Sequence, residues 1–201
     1  MSIWVYKDPK IISQEDSLKY ISIDPADKHF TVRVELRHRE TQKVKLVFCE
    51  VKKFRSKNEN VAVNRILIQL NEYLGSILEY TKGAYMILVE RQLPKNYHAV
   101  RISQHVLSYF VVNQDFGSSI VIEVDSRLKT KIFGFGSNTE YKTKRLAVKK
   151  AKELCVEHDD MESLKMIEDN KPNKKLEKKD DDISDVIVML EAVLIFLSTD
   201  E

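Results

Sequence analysis

Four acids at widely separated points of this chain are its best candidates for chemistry: Asp24, Glu90, Asp182 and Asp185. Asp24 ends the run Tyr20-Ile21-Ser22-Ile23-Asp24, and Glu90 ends Tyr85-Met86-Ile87-Leu88-Val89-Glu90. A carboxylate at the end of a buried strand is costly to place and grips a hard cation strongly. Asp182 and Asp185 open a late apolar segment, and their i, i+3 spacing puts both on one face of a helix. Two strand-end acids and such a pair could together hold a pair of Mg2+ ions. Each acid also has a plainer reading. Asp24-Pro25 is ordinary turn chemistry, Arg91 offers Glu90 an ion-pair partner, and Asp182 and Asp185 complement a helix dipole.

These acids need a sheet and a helix to bring them together. Leu18–Asp24 is rich in β-formers and is followed by the turn residues Asp24-Pro25-Ala26-Asp27. In His29–Leu36, Phe30, Val32, Val34 and Leu36 alternate with His29, Thr31, Arg33 and Glu35, the period of a half-buried strand. Lys43–Val51 repeats the pattern, so the three segments predict an antiparallel meander. Val61–Tyr80 carries a helical stripe through Val63, Ile66, Leu67, Leu70, Leu74, Ile77 and Leu78. The fully apolar Ala84–Val89 predicts a central strand buried on both faces. A helix over Ile102–Val112, a strand over Ser119–Val124, a helix over Glu140–Val156 capped by Asn138 or Thr139, and a helix over Asp181–Leu197 complete the series. Residues 1–17 read as an N-terminal extension and 18–201 as one domain. The lysine-rich stretch His158–Lys179, which contains Pro172, reads as a polar insertion of low order. The fold class is α/β, with a mixed five-stranded sheet of three antiparallel plus two parallel strands, flanked by helices.

With 201 residues, 43% of them apolar, the chain is long enough for a single core. Its net charge of +2 excludes a histone-like polycation, but the charge is segregated. Lys142 to Lys152 holds six basic residues and no acid, and Lys171 to Lys179 holds five lysines against Glu177. Such blocks beside acidic metal ligands suit an enzyme that holds a phosphate backbone, although solvated helix faces explain them equally. Lys129, Lys131, Lys149 and Lys150 are the candidates for phosphate contacts. Cys49 and Cys155 have no metal-ligand spacing around them and predict free thiols in a reducing compartment. No apolar core of signal-peptide length follows Met1, and the longest apolar stretch, Val186–Leu197, is interrupted by Glu191. The expectation is a soluble, intracellular protein with no membrane partner.

The signatures Ile21-Ser22-Ile23-Asp24-Pro25-Ala26-Asp27, Leu88-Val89-Glu90-Arg91-Gln92 and Lys178-Lys179-Asp180-Asp181-Asp182-Ile183-Ser184-Asp185 resemble those of RuvC-like Holliday junction resolvases, nearest the poxvirus-type and fungal mitochondrial branch. The basic helix Tyr141–Lys150 ahead of the last one fits the same pattern, and the likeness runs from about Leu18 to Leu197. The resemblance implies an RNase H-like fold and a metal-dependent endonuclease acting as a homodimer on four-way DNA junctions, with Mg2+, or Mn2+ in its place, as cofactor. By position, Asp24 matches the metal-bridging acid, Glu90 the acid of the fourth strand, and Asp182 and Asp185 the pair on the last helix, with Asp181 an alternative first member. Ala26 stands where the family usually has glycine. A viral source, and hence host cytoplasm, is implied only by the resemblance. Two other readings stay open: another RNase H-like nuclease or recombinase domain, and a catalytically silent nucleic-acid-binding module. Tyr97 and His98 either contact DNA or merely start a helix. The stripe Ile102, Val106, Leu107, Phe110 and Val111 serves the core or a dimer interface.

Overall fold

The period-two alternation of the first third of the chain becomes a hairpin meander in the computed structural model, which describes residues 3–7, 15–55, 61–113, 119–136, 140–169 and 179–199. The strands are β1 (Ile3–Lys7), β2 (Ser17–Asp24), β3 (Phe30–His38), β4 (Val44–Lys52), β5 (Met86–Arg91) and β6 (Ile120–Asp125). The helices are α1 (Val63–Ser76), α2 (Leu78–Thr81), α3 (Tyr97–Asn113), α4 (Arg127–Phe133), α5 (Glu140–Glu157), α6 (Met161–Asp169) and α7 (Lys179–Thr199). They flank one sheet of order β1-β6-β5-β2-β3-β4. β2, β3 and β4 pair antiparallel, while β5 joins β2 and β6 joins β5 in parallel. The expected five strands are all present. The sixth is β1, from the segment that reads as an extension, and it pairs antiparallel with β6.

Side-chain alternation divides the core. Ile21, Ile23, Val32, Val34, Ile87 and Val89 point to one face and meet Ile66, Leu70, Ile102 and Phe110 of α1 and α3. Tyr20, Met86, Leu88, Ile122 and Val124 point to the other and meet Leu128 of α4 and Met189, Leu190 and Val193 of α7. The α3 stripe is therefore core for Ile102, Val106, Leu107 and Phe110, and Val111 packs against it half-buried. Asn96 caps α3 by accepting the Ala99 N–H at 3.5 Å, so Tyr97 and His98 form its first turn. The single helix expected over Val61–Tyr80 is broken at Ile77 (φ −101°, ψ 9°), just after Gly75 and Ser76, a pair that weakens helical continuity. Residues Asn138 and Thr139 lie outside the described residues.

Two expectations fail for one reason. A half-buried β3 should show its polar face to water, yet Arg33 is 2% and Glu35 1% exposed. The first half of the expected low-order stretch is the helix α6, which packs with α5 and α7 over that face. Buried charge joins the two. Arg33 pairs with Glu35 and with Asp160 Oδ2 (2.5 Å), while Asp160 Oδ1 accepts the Ser163 N–H (3.1 Å) and caps α6. Arg37 continues the chain to Glu35 (2.9 Å) and Glu191 (2.7 Å), and His158 Nε2 lies 3.2 Å from Glu191. Both cysteines are free, and burial pushes the Cys155 thiol up to about 12 and Cys49 to about 11. Among the described residues no helix is long and apolar enough to cross a membrane.

Burial by itself would raise the Glu191 pKa, but the hydrogen bond from His158 and the charge and hydrogen bond of Arg37 outweigh it and pull the group from 4.5 to about 2. A depressed carboxylate stabilises the fold above its unfolded pKa, and that contribution is lost as pH falls through its folded one. Glu191→Gln should therefore cost about 3 kcal/mol at pH 7. The difference from the native chain should shrink between about pH 4.5 and 2. Denaturant unfolding of both proteins across that range checks it.

Candidate functional site

The parallel pairing of β2 and β5 runs Tyr20↔Met86, Ile21↔Ile87, Ser22↔Leu88, Ile23↔Val89. The next position puts Asp24 beside Glu90, one strand spacing apart, and alternation turns both toward the face that carries α7. The residues just beyond each acid fix it there. After Asp24 the chain turns at once: the Ala26 N–H donates to the Asp24 carbonyl (3.2 Å), Asp27 accepts from the Arg55 guanidinium, and the Asp27 carbonyl receives the Phe54 N–H. Thus Asp27 holds the turn. After Glu90, Arg91 points to the opposite face and lies over the Trp4 ring, 4.2 Å from its centroid. The sequence-based pairing of Glu90 with Arg91 is therefore replaced, and the replacement partner is Lys129.

Lys129 sits on α4, a helix absent from the sequence reading. Asp125 Oδ1 accepts the Arg127 N–H (2.9 Å) at its start, and Gly134 ends it in the left-handed conformation (φ 64°). Buried Leu128 docks α4 on the sheet. The Lys129 ammonium then lies 3.1 Å from Glu90 Oε1 and 3.0 Å from Asp185 Oδ1, with its side chain only 12% exposed. The solvated alternative for this residue is overturned. On the first turn of α7, Asp182 Oδ2 lies 3.0 Å from His29 Nδ1 on the β2–β3 turn. The Gln92 amide donates to Asp24 Oδ1 at 3.3 Å. The side chain of Asp181 lies outside the described residues.

Electrostatics tie the four acids into one group. Burial raises the Asp24 pKa well above its ordinary value, Glu90, Asp185 and Asp182 raise it further, and Lys129 opposes them. Burial disfavours the charged form of Lys129, but Glu90, Asp185 and Asp24 more than offset this and keep it protonated. One lysine thus stands against four carboxylates. Among the described residues no three His, Cys, Asp or Glu side chains are arranged to hold a metal ion, and Glu90 and Asp185 close on the ammonium instead.

The other lysines lie elsewhere. Lys131 is exposed on α4. Lys149 and Lys150 are on α5, each near Glu153 (3.7 and 3.9 Å), and Lys150 lies over the Phe133 ring. Sequence reasoning misses His29 and Gln92, and it misses Lys129 as a member of the acidic cluster. The i, i+4 pair Leu128 and Ile132 with Gly134 behind it is the signal that would have exposed α4.

No family model matches the chain, and no curated protein sequence matches it. Solved structures do. The Thermus thermophilus RuvC structure superposes with a TM-score of 0.57 at 14% identity, covering 89% of this chain and 96% of that one. T. thermophilus RuvC in complex with a Holliday junction substrate gives 0.56 at 11% identity, covering 90% and 96%. The fowlpox virus resolvase, in complex with substrate Holliday junction DNA, gives 0.54 at 16% identity, covering 90% and 99%. At such identities the likeness is one of architecture: this chain shares the mixed-sheet α/β fold of those structures, with one strand more than its sequence predicts.

Proposed function

We propose that this protein is a metal-dependent endonuclease that resolves four-way DNA junctions, of the poxvirus type within the RuvC-like resolvases. The observation that carries the reading is the convergence of Asp24, Glu90, Asp182 and Asp185 at the carboxyl ends of two parallel strands, in a fold shared with solved junction resolvases. Two symmetric cuts across a junction need two sites, which a homodimer supplies.

The donor set fits Mg2+. It is all oxygen and strongly acidic; burial first, and then Glu90, Asp185 and Asp182, raise the Asp24 pKa against the opposing charge of Lys129. Asp24, Glu90, Asp182 and Asp185 would hold the ions. Bound metal would supply Lewis acidity toward an attacking water and the leaving oxygen of a phosphodiester. The chain's own groups do the rest. Gln92 orients the Asp24 carboxylate, and His29 of the β2–β3 turn lies 3.0 Å from Asp182 at the start of α7. Lys129 carries a positive charge into the cluster. Lys131, Lys149 and Lys150 provide positive charge farther out, where a DNA arm's backbone would run.

One observation favours a second reading. An ammonium gripped by two of four acids is also how a retired site would neutralise itself, leaving a silent nucleic-acid-binding module. Lys129→Met separates the two. Loss of the ammonium should cost about 3–5 kcal/mol by stranding buried carboxylates, and Mg2+ should restore much of it. Thermal unfolding of both proteins with Mg2+ and with chelator gives the answer. A melting temperature indifferent to Mg2+ in both favours the silent module.

Junction DNA should be cut with Mg2+ or Mn2+ but not with Ca2+, whose looser coordination binds without turnover. Intact duplex and RNA–DNA hybrid should resist. Asp24→Asn should lower the rate more than ~100-fold, beyond the loss typical of a metal's outer-shell partners, while junction affinity holds or improves. Wild-type cleavage by Asp24→Asn sinks the nuclease reading.

Replacing Lys149 and Lys150 by Ala should leave the acidic cluster assembled and weaken junction binding. The slope of log affinity against log salt should fall by about one per lysine that contacts phosphate. Mobility shifts over a salt series measure it, and an unchanged slope returns both lysines to plain surface.

A further inference from the structure

The core accounts for the inner side of the α5–α6 pair but not for its outer side. Asp159 turns the chain between the two helices in the left-handed conformation (φ 59°). Lys152 lies 3.8 Å from Glu168, so α6 runs back alongside α5. Ala151, Leu154, Cys155 and Ile167 are buried between them and α7. On the outside, a shallow groove of about 510 Å3 is lined by Lys152, Glu153, Val156, Glu157, Leu164 and Glu168. Val156 is 60% exposed, and Met161, one helical turn before Leu164, is 52% exposed. The rim is acidic. Glu153 has Lys149 and Lys150 at 3.7 and 3.9 Å, and ion pairs so open to water are weak. Glu157 and Glu162 are exposed and make no ion pair among the described residues.

We propose that this groove docks an amphipathic helix of a partner protein, apolar on one face and rich in lysine or arginine along its flanks. The inference is independent of the nuclease reading and goes beyond it. A furrow between two packed helices receives a third through apolar anchors at i, i+3 or i+4, and i+7. The nine residues of α6 make about 13 Å of helix, so the occupant spans roughly two to three turns. Charge selects the class of partner. Glu153, Glu157 and Glu168, with Glu162 beside them, repel a phosphate backbone and an anionic membrane alike, and they attract basic flanks. A small apolar ligand needs an enclosed pocket, whereas this groove is open to solvent. Met161 adds a side chain that adapts its shape to what it meets.

The test titrates the full chain into a fluorescein-labelled peptide of about 14 residues, long enough to hold a helix. Its leucines stand at i, i+3 and i+7 and its other residues are lysine and alanine. Fluorescence anisotropy should show binding at about 10 μM. A peptide of the same composition with its leucines spread around the helix should bind about tenfold more weakly, as should one with glutamate in place of lysine. Val156→Asp, at an exposed position, should weaken the first peptide about tenfold at unchanged melting temperature and unchanged junction affinity. Glu157→Lys combined with Glu168→Lys should shift the preference toward the glutamate peptide. Equal binding of all three peptides, no binding of the first, or binding that survives Val156→Asp overturns the docking site. A loss of junction affinity in Val156→Asp overturns it in favour of a DNA surface. A native dimer that Val156→Asp splits in sedimentation overturns it in favour of a second copy of this chain.

Discussion

Carboxylates on adjacent rungs of parallel strands repel each other, and much of this fold is arranged around that fact. Asp24 and Glu90 are forced together by the β2–β5 register, and α7 adds two more acids at the same end. Folding such a group requires a cation inside it, and α4 delivers one. The short helix after β6 exists in the right place because Asp125 starts it, Leu128 anchors it and Gly134 stops it. Burial and the neighbouring acids still raise Asp24 well above its ordinary range, with Lys129 opposing them.

The same face of the sheet solves a second charge problem in a different way. Farther along β3, Arg33, Glu35 and Arg37 alternate in sign and are sealed under α5, α6 and α7 by Asp160, Glu191 and His158. This network sets two arginines and His158 against three carboxylates, a closer match than Lys129 against the four acids. It orients α7 from Glu191, two turns down the helix from Asp182 and Asp185. The position of the candidate ligands therefore depends on ion pairs well removed from them. Replacing a buried pair by apolar groups is often tolerated, whereas removing one partner is not, so this layer constrains geometry more than it contributes to stability.

Elements whose side chains obey one rule are legible in the sequence. The alternation of β2 to β4, the apolar run of β5, buried on both faces, and the stripe of α1 each follow a short local period, and the strands lie where the pattern puts them. The end of the sheet at which Asp24 and Glu90 meet obeys the same logic. The features that escape such reading involve partners distant in sequence. Arg33 and Asp160 are 127 residues apart, so neither the burial of the β3 polar face nor the order of α6 can be read locally. Lys129 looks like one more surface lysine because its identity as a counter-ion depends on Glu90 and Asp185, which only the tertiary fold supplies. Residues 1–17 read as an appendage because a five-residue strand gives too little periodicity to stand out.

That short strand has a consequence of its own. β6 would otherwise end the sheet on the side away from the meander, presenting unpaired backbone amides and carbonyls along Ile120–Asp125. β1 covers this edge, and Trp4 beneath Arg91 fastens it to β5, the next strand but one. The opposite edge, β4, is protected differently, by the charged side chains Lys45, Glu50 and Lys52. An uncovered apolar edge is a template for strand addition between molecules. Ile3–Lys7 therefore replaces the apolar β6 edge by a shorter and irregular one, a poorer template for such addition.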